Sequence, residues 1–174
     1  MSEKWVVFDL IGVLAEPSWR DLSAAPDLGR WQEFREGRRG EQEFWEESTA
    51  SAYRSMLAFR TDRLALAQNL RKKGYRICIA TNFSRDWYDA LMKQIEDKLL
   101  FECSVISSEI GSAKPSRAFF EEVLKHVPRG TVFIDDKREN CVAADRAGLR
   151  GLWAYPGARI ESKLDTMLAS LAVA

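Results

Sequence analysis

The sequence predicts an α/β fold built on a parallel sheet, interrupted once by a small helical insertion. Three observations carry this. From about residue 60 onward, short β-rich apolar runs alternate with stretches of helical spacing, the pattern of parallel strands joined by helical crossovers. The apolar runs end in polar residues, Asp9, Thr81-Asn82 and Asp135-Asp136, and in such sheets ligands bind outside the carboxyl ends of the strands. Between about residues 17 and 59 the rhythm breaks. Trp19, Trp31, Phe34, Phe44, Trp45 and Tyr53 stand there among many charges, interrupted by Gly37 and Gly40, as in a few short helices.

Each element has its own signal. Trp5-Val6-Val7-Phe8 is a buried strand that ends at Asp9, with Gly12 in the turn beyond it. In the insertion, helical spacing is clearest in Trp31–Arg35 and Glu43–Glu47. Thr61 or Asp62 can cap a helix carrying Leu64, Leu66, Ala67 and Leu70, stopped by Gly74. Ile77–Ala80 is the second strand. Ser84 can cap a helix through Trp87, Leu91, Ile95 and Leu99. Cys103–Ser107 is the third strand, and Pro115 suits the first turn of a helix holding Phe119, Phe120 and Leu124. Thr131–Ile134 is the fourth strand, followed by a helix with Val142, Ala143, Ala144 and Ala147 that Gly148 stops. Gly151–Tyr155 is the fifth strand, and a last helix starts near Ile160.

Composition narrows the functional classes. The chain has 174 residues, 46% hydrophobic and 30% charged, the balance of a globular domain with a full core. Lys plus Arg number 26, and so do Asp plus Glu, so no electrostatic footprint for nucleic acid or an anionic membrane is expected. Met1–Lys4 leads straight into a strand-like run, and no apolar run is long enough to span a bilayer. Cys78, Cys103 and Cys141 are odd in number and form no CxxC pair, which points to reduced thiols and a cytoplasmic protein rather than zinc or disulfides. The single histidine, His126, lies near a helix end and is expected to be structural.

The strand ends should converge. Asp9 and the Asp135-Asp136 pair would repel one another unless a cation joined them. Oxygen donors with no nearby His or Cys favour a hard ion such as Mg²⁺, which commonly takes substrate phosphate as a further ligand. Thr81 and Asn82 precede a helix start, where free N–H groups and the dipole hold anions. Lys114, just before another helix, can screen the repulsion between a carboxylate nucleophile and an incoming phosphate. A nucleophilic aspartate would form an aspartyl-phosphate that water then hydrolyses.

Four motifs in order, Phe8-Asp9-Leu10-Ile11-Gly12-Val13-Leu14, Ala80-Thr81-Asn82, Lys114-Pro115 and Phe133-Ile134-Asp135-Asp136, resemble those of the haloacid dehalogenase superfamily. Glu109-Ile110-Gly111 and the stretch from Asn140 to Gly148 fit the same pattern. Asp9-Leu10, Gly12-Val13-Leu14 and Pro17 are most similar to the phosphatases related to the amino-terminal domain of soluble epoxide hydrolase. The resemblance implies a Rossmann-like parallel sheet with helices on both faces, made of residues 1–16 and 60–174, with residues 17–59 as the small helical cap. It implies Asp9 as nucleophile and metal ligand, the Ile11 carbonyl and Asp135 on the metal, and Asp136 as a direct or water-mediated ligand. Thr81 and Asn82 would bind phosphate beside Lys114, and Asn140 would support the site from behind.

One position departs from the family. Its phosphatases usually carry Asp two residues after the nucleophile, to protonate the leaving group and then activate water. Here that residue is Ile11, and losing a general acid/base typically costs about 10²–10⁴-fold in rate. The expected activity is therefore a slow Mg²⁺-dependent phosphatase of small phosphorylated metabolites. A dehalogenase and a catalytically weak phosphate-binding protein are the alternatives; substrate identity and oligomeric state are not legible.

Overall fold

Trp5–Phe8 (β1) is the centre of a five-stranded sheet in the computed structural model, which describes residues 3–17, 33–38, 40, 57–97, 99–155 and 157–171. Arg76–Thr81 (β4) and Val132–Asp135 (β6) flank β1, with Cys103–Ile106 (β5) and Arg150–Trp153 (β7) at the edges, giving the order β5-β4-β1-β6-β7. Every pairing is parallel, as in Phe8 opposite Ile79 and Ile134. The chain runs outward from β1 through β4 to β5, then returns to β6 on the other side. Its direction reverses between β1 and β6, so that is where a crevice opens at the carboxyl edge.

Side-chain alternation along the strands fills two cores. Val6, Phe8, Ile77, Ile79, Ile134 and Leu152 pack on one face against Thr61–Lys72 (α1), Arg85–Met92 (α2) and Glu161–Leu171 (α6), through Ala67, Leu70, Trp87, Leu91 and Leu164. Val7, Cys78, Ala80, Val105 and Phe133 face the other way. They meet Phe119, Phe120 and Val123 of Arg117–His126 (α4) and Ala144 of Arg138–Ala147 (α5). The expected α/β sheet with helices on both faces is present. Each fully buried side chain such as Phe8, Leu70 or Phe133 contributes about 1.5–3 kcal/mol.

Several boundaries differ from expectation for local reasons. Neither Thr61 nor Asp62 caps α1; the backbone stays extended through Arg60, whose N–H is tied to the Leu14 carbonyl at 2.8 Å. Ser84 does cap α2, but the helix stops at Met92 instead of continuing to Leu99. There Gln94 turns its amide to the Leu57 carbonyl at 2.9 Å, and Leu99 is left exposed. Ser107 leaves the third strand to open a short helix, Ser107–Ile110 (α3). Its buried hydroxyl accepts from the Phe83 N–H and donates to the Arg35 carbonyl, which draws it off the ladder. Pro115 lies outside α4, because Ser116 is the cap that accepts from the Phe119 N–H at 3.2 Å.

Ala15–Pro17 (β2) and Leu57–Phe59 (β3) form an antiparallel pair, which brings the two ends of the stretch between them together. Within it a helical turn covers 33–35. Phe34 is 1% exposed and meets Trp87 of α2 edge-on at 5.4 Å between ring centroids. The expected helix at Glu43–Glu47 lies outside the described residues. Among the described residues no helix is long and apolar enough to cross a membrane.

Candidate active site

Asp9 follows the last residue of β1, and its N–H completes the sheet edge by donating to the Ile134 carbonyl at 2.8 Å. Asp135 ends β6 on the adjacent strand, so parallel register brings the two carboxyl groups together. Carboxylate oxygens of Asp9, Asp135 and Asp136 all lie within 4.8 Å of one another. Lys114 enters from the loop between α3 and α4, with its side chain 1% exposed. Its ammonium is 2.7 Å from Asp9 Oδ1 and 2.7 Å from Asp135 Oδ2, and it donates to the Ala80 carbonyl at 2.9 Å. Three donors and three acceptors match, so the buried lysine is fully satisfied.

Asp135 is held from several sides. Asn140, one turn into α5, sets its amide nitrogen 3.0 Å from both carboxylate oxygens, and the Lys137 N–H donates to Oδ1 at 2.8 Å. Asp9 Oδ1 takes the Leu10 N–H at 2.8 Å as well as the Lys114 contact, while Oδ2 has no hydrogen bond among the described residues. Asp136 approaches the β1 loop over Gly12. A Cβ on Gly12 would sit 2.6 Å from the Asp136 carboxyl carbon, and Gly12 has a φ of +94°; only glycine allows both the turn and the close approach.

Charge crowding shows in the proton affinities. Burial pushes the Asp9 carboxyl up to about 7; the Lys114 ammonium pulls it down, and the charges of Asp135 and Asp136 raise it further. Burial and then the Asp135 charge also raise Asp136. For Lys114 burial acts against the ammonium, but Asp135 and Asp9 more than offset it and the affinity rises. One ammonium thus faces three carboxyl groups, a net deficit of positive charge.

The residues fit a hard divalent cation. Asp136 Oδ1 is buried and has no hydrogen-bond partner among the described residues. A buried acceptor left alone needs an ion or a water. The available donors are all oxygen, which suits Mg²⁺.

The sequence candidates are only partly assembled as expected. Asp9, Lys114, Asp135 and Asp136 share one crevice. Thr81 is buried as the last residue of β4. Asn82 is beside Lys114, but its side chain is occupied: Oδ1 accepts the Lys114 N–H at 2.7 Å and Nδ2 donates to the Lys114 carbonyl at 2.9 Å. Its amide fixes the lysine loop. The start of α2 is also less open than expected, because the N–H groups of Phe83, Arg85 and Trp87 bond to the hydroxyls of Ser107, Ser108 and Ser84. Ile11 is half-buried and packs against the first core cluster. Trp153 was not anticipated near the site; its indole N–H donates to the Asp136 carbonyl at 2.9 Å. Its register partner Asp135 was the available signal, since the strand end opposite a site aspartate must itself lie at the rim.

The family model for haloacid dehalogenase-like hydrolases matches residues 3–148. The chain belongs to that family. Among curated relatives, a sesquiterpene phosphatase from Aspergillus oryzae is 26% identical over 173 residues, 86% of this chain and 88% of that protein. Among solved structures, a haloacid dehalogenase family enzyme from Bacteroides thetaiotaomicron, in complex with magnesium and inorganic phosphate, superposes with a TM-score of 0.75. It is 20% identical and covers 93% of this chain and 99% of its own. The L-2-haloacid dehalogenase RSc1362 superposes with a TM-score of 0.66 at 15% identity, covering 92% of each chain. These two structures share the fold of this haloacid dehalogenase-like hydrolase.

Proposed function

We propose that the chain is a Mg²⁺-dependent phosphatase that cleaves phosphate monoesters of small metabolites through an aspartyl-phosphate on Asp9. The observation that carries the reading is the buried Lys114 bridge between Asp9 and Asp135, set beside an Asp136 oxygen that has no partner among the described residues. Asp9, Asp135 and Asp136 would hold the metal, together with the Ile11 carbonyl. A bound Mg²⁺ supplies Lewis-acid neutralisation of phosphate charge.

This chain's own residues perform the rest. Lys114 draws the buried Asp9 carboxyl back toward its ionised form and lowers the repulsion met by an incoming dianion. The Thr81 hydroxyl and the Asn82 N–H hold phosphate oxygens, while the Asn82 amide keeps Lys114 in place. An Asp9 oxygen attacks phosphorus, the ester P–O bond breaks, and the departing alkoxide takes its proton from water, because Ile11 has none to give. Water then attacks the aspartyl-phosphate and releases phosphate, again without a side-chain base at position 11. The result is a slow enzyme that favours good leaving groups. Similarity to a sesquiterpene phosphatase supports including esters of apolar alcohols among the substrates.

The test is hydrolysis of p-nitrophenyl phosphate and of a panel of phosphorylated metabolites, with Mg²⁺ and with EDTA, by the wild type and Asp9→Asn. The reading expects turnover that needs both Mg²⁺ and Asp9. Turnover unchanged in Asp9→Asn removes the nucleophile. Halide release from 2-haloacids without metal would establish a dehalogenase instead, and phosphate binding without turnover a binding protein.

A further inference from the structure

Strand β7 ends in a feature that the phosphate chemistry does not use. Its residues alternate: Leu152 and Ala154 are buried, whereas Trp153 and Tyr155 are 41% and 51% exposed. Both aromatic rings therefore leave the strand on one side, with centroids 5.2 Å apart and planes tilted by 58°. Leaving two large rings in water forgoes the burial that other large aromatics of the described chain obtain, such as Phe8, Phe119 and Phe133.

The pair is also fixed in place. The Trp153 indole donates to the Asp136 carbonyl at 2.9 Å, and the Ala154 N–H donates to the Asp135 carbonyl at 2.8 Å. The Ala158 N–H closes a turn on the Tyr155 carbonyl at 2.9 Å. Gly151 lets β7 press against α5, since a Cβ there would lie 2.5 Å from the Cys141 carbonyl. The platform thus begins one hydrogen bond from the backbone of a residue in the acidic cluster, on the β7 side of the crevice. An exposed aromatic pair tied through Trp153 to the backbone of Asp136 suits a ligand with a charged head and an apolar body.

We propose that Trp153 and Tyr155 form the subsite for the alcohol portion of the substrate, and that this portion is an extended apolar group such as an isoprenoid or aryl chain. The proposal rests on the phosphatase reading for its reaction but on the aromatic pair for its binding.

The test compares farnesyl phosphate with acetyl phosphate, which offers the same charged head without an apolar body. Tyr155→Ala and the double variant Trp153→Phe/Tyr155→Ala should lower the preference for farnesyl over acetyl phosphate by about threefold to tenfold, the usual worth of an aromatic contact, mainly through KM. Trp153→Phe alone, which keeps a ring but removes the bond to Asp136, should retain most of the preference. Equal falls for both substrates in Tyr155→Ala, or an unchanged preference, overturns the subsite. A second measurement separates this from failure of the phosphatase reading: calorimetric titration of the Mg²⁺-loaded protein with non-hydrolysable farnesyl phosphonate. If the wild type hydrolyses neither ester but binds the phosphonate, and Tyr155→Ala weakens binding by the same factor, the subsite stands and the reaction is wrong. No binding by the wild type, or equal binding by wild type and variant, overturns the subsite.

Discussion

Replacing Lys114 with methionine isolates the electrostatics of the crevice. Methionine keeps much of the buried stem while deleting the ammonium, two ion pairs of 2.7 Å and the bond to the Ala80 carbonyl. Removing one partner of a buried pair typically costs about 3–5 kcal/mol, because the other charge is left uncompensated. At roughly 2–4 °C per kcal/mol for a domain of this size, the metal-free variant should melt about 6–20 °C below the wild type at pH 8. Two controls give the number its meaning. Mg²⁺ should stabilise the variant more than the wild type, since it restores positive charge where the loss is larger. The deficit should also shrink on acidification. The folded Asp9 carboxyl, at about 7, already lies above its unfolded value of 3.8. That contribution is fully present below about 4 and is lost as pH rises through 7. Without Lys114 the folded value rises further, so the penalty is largest when Asp9 would otherwise be ionised and smallest when it is protonated. The assay is thermal unfolding by circular dichroism, with EDTA and with Mg²⁺, between pH 5 and 8. A variant with an unchanged Tm in EDTA at pH 8, or a deficit independent of both pH and metal, would refute the charge-balance argument.

Ile11→Asp should raise turnover of esters with poor leaving groups by about 10²-fold or more if a proton donor is the missing element; a variant that folds and binds Mg²⁺ yet is no faster disproves that account. Gly12→Ala places a methyl 2.6 Å from the Asp136 carboxyl carbon at a φ of +94° and should weaken Mg²⁺ affinity by about tenfold or more, as read by titration calorimetry; unaltered affinity would mean that Asp136 is not a ligand. Mg²⁺ affinity of the wild type should fall as pH drops below about 7, because the buried Asp9 carboxyl must lose its proton to bind metal; an affinity flat from pH 8 to pH 5.5 would exclude Asp9 from the metal site.

Much of this was readable from residue patterns, and the exceptions share a cause. Strand cores such as Val6–Phe8 and Val132–Ile134 were legible because apolar runs buried on both faces leave no alternative placement. Asp9, Asp135 and Asp136 were legible because strand ends of a parallel sheet meet at one edge, whereas Lys114, on the loop before α4, was legible from its place just ahead of a helix and the charge an anion site needs. Missed features depend on partners remote in sequence. The early end of α2 depends on Gln94 finding Leu57, and the exit of Ser107 from its strand depends on Arg35 and Phe83. The tie of the Asn82 side chain to the Lys114 backbone is equally remote in sequence, and only the reciprocal bonds reveal that its amide positions the lysine loop. No local propensity encodes such long-range hydrogen bonds, so helix ends and polar side-chain roles were the weakest inferences.

The β2–β3 pair has a consequence for how such a chain can diversify. Ala15 lies opposite Phe59, and Pro17 opposite Leu57, so the residues between them depart and return at one point, like a loop tied at its neck. The sheet bearing the carboxylates meets the same knot whatever the contour beyond it. Closing a flexible loop grows dearer only logarithmically, by about 0.6 kcal/mol per doubling of length. Descendants could therefore lengthen, trim or exchange the stretch between β2 and β3 at little cost to the alignment of the strand tips.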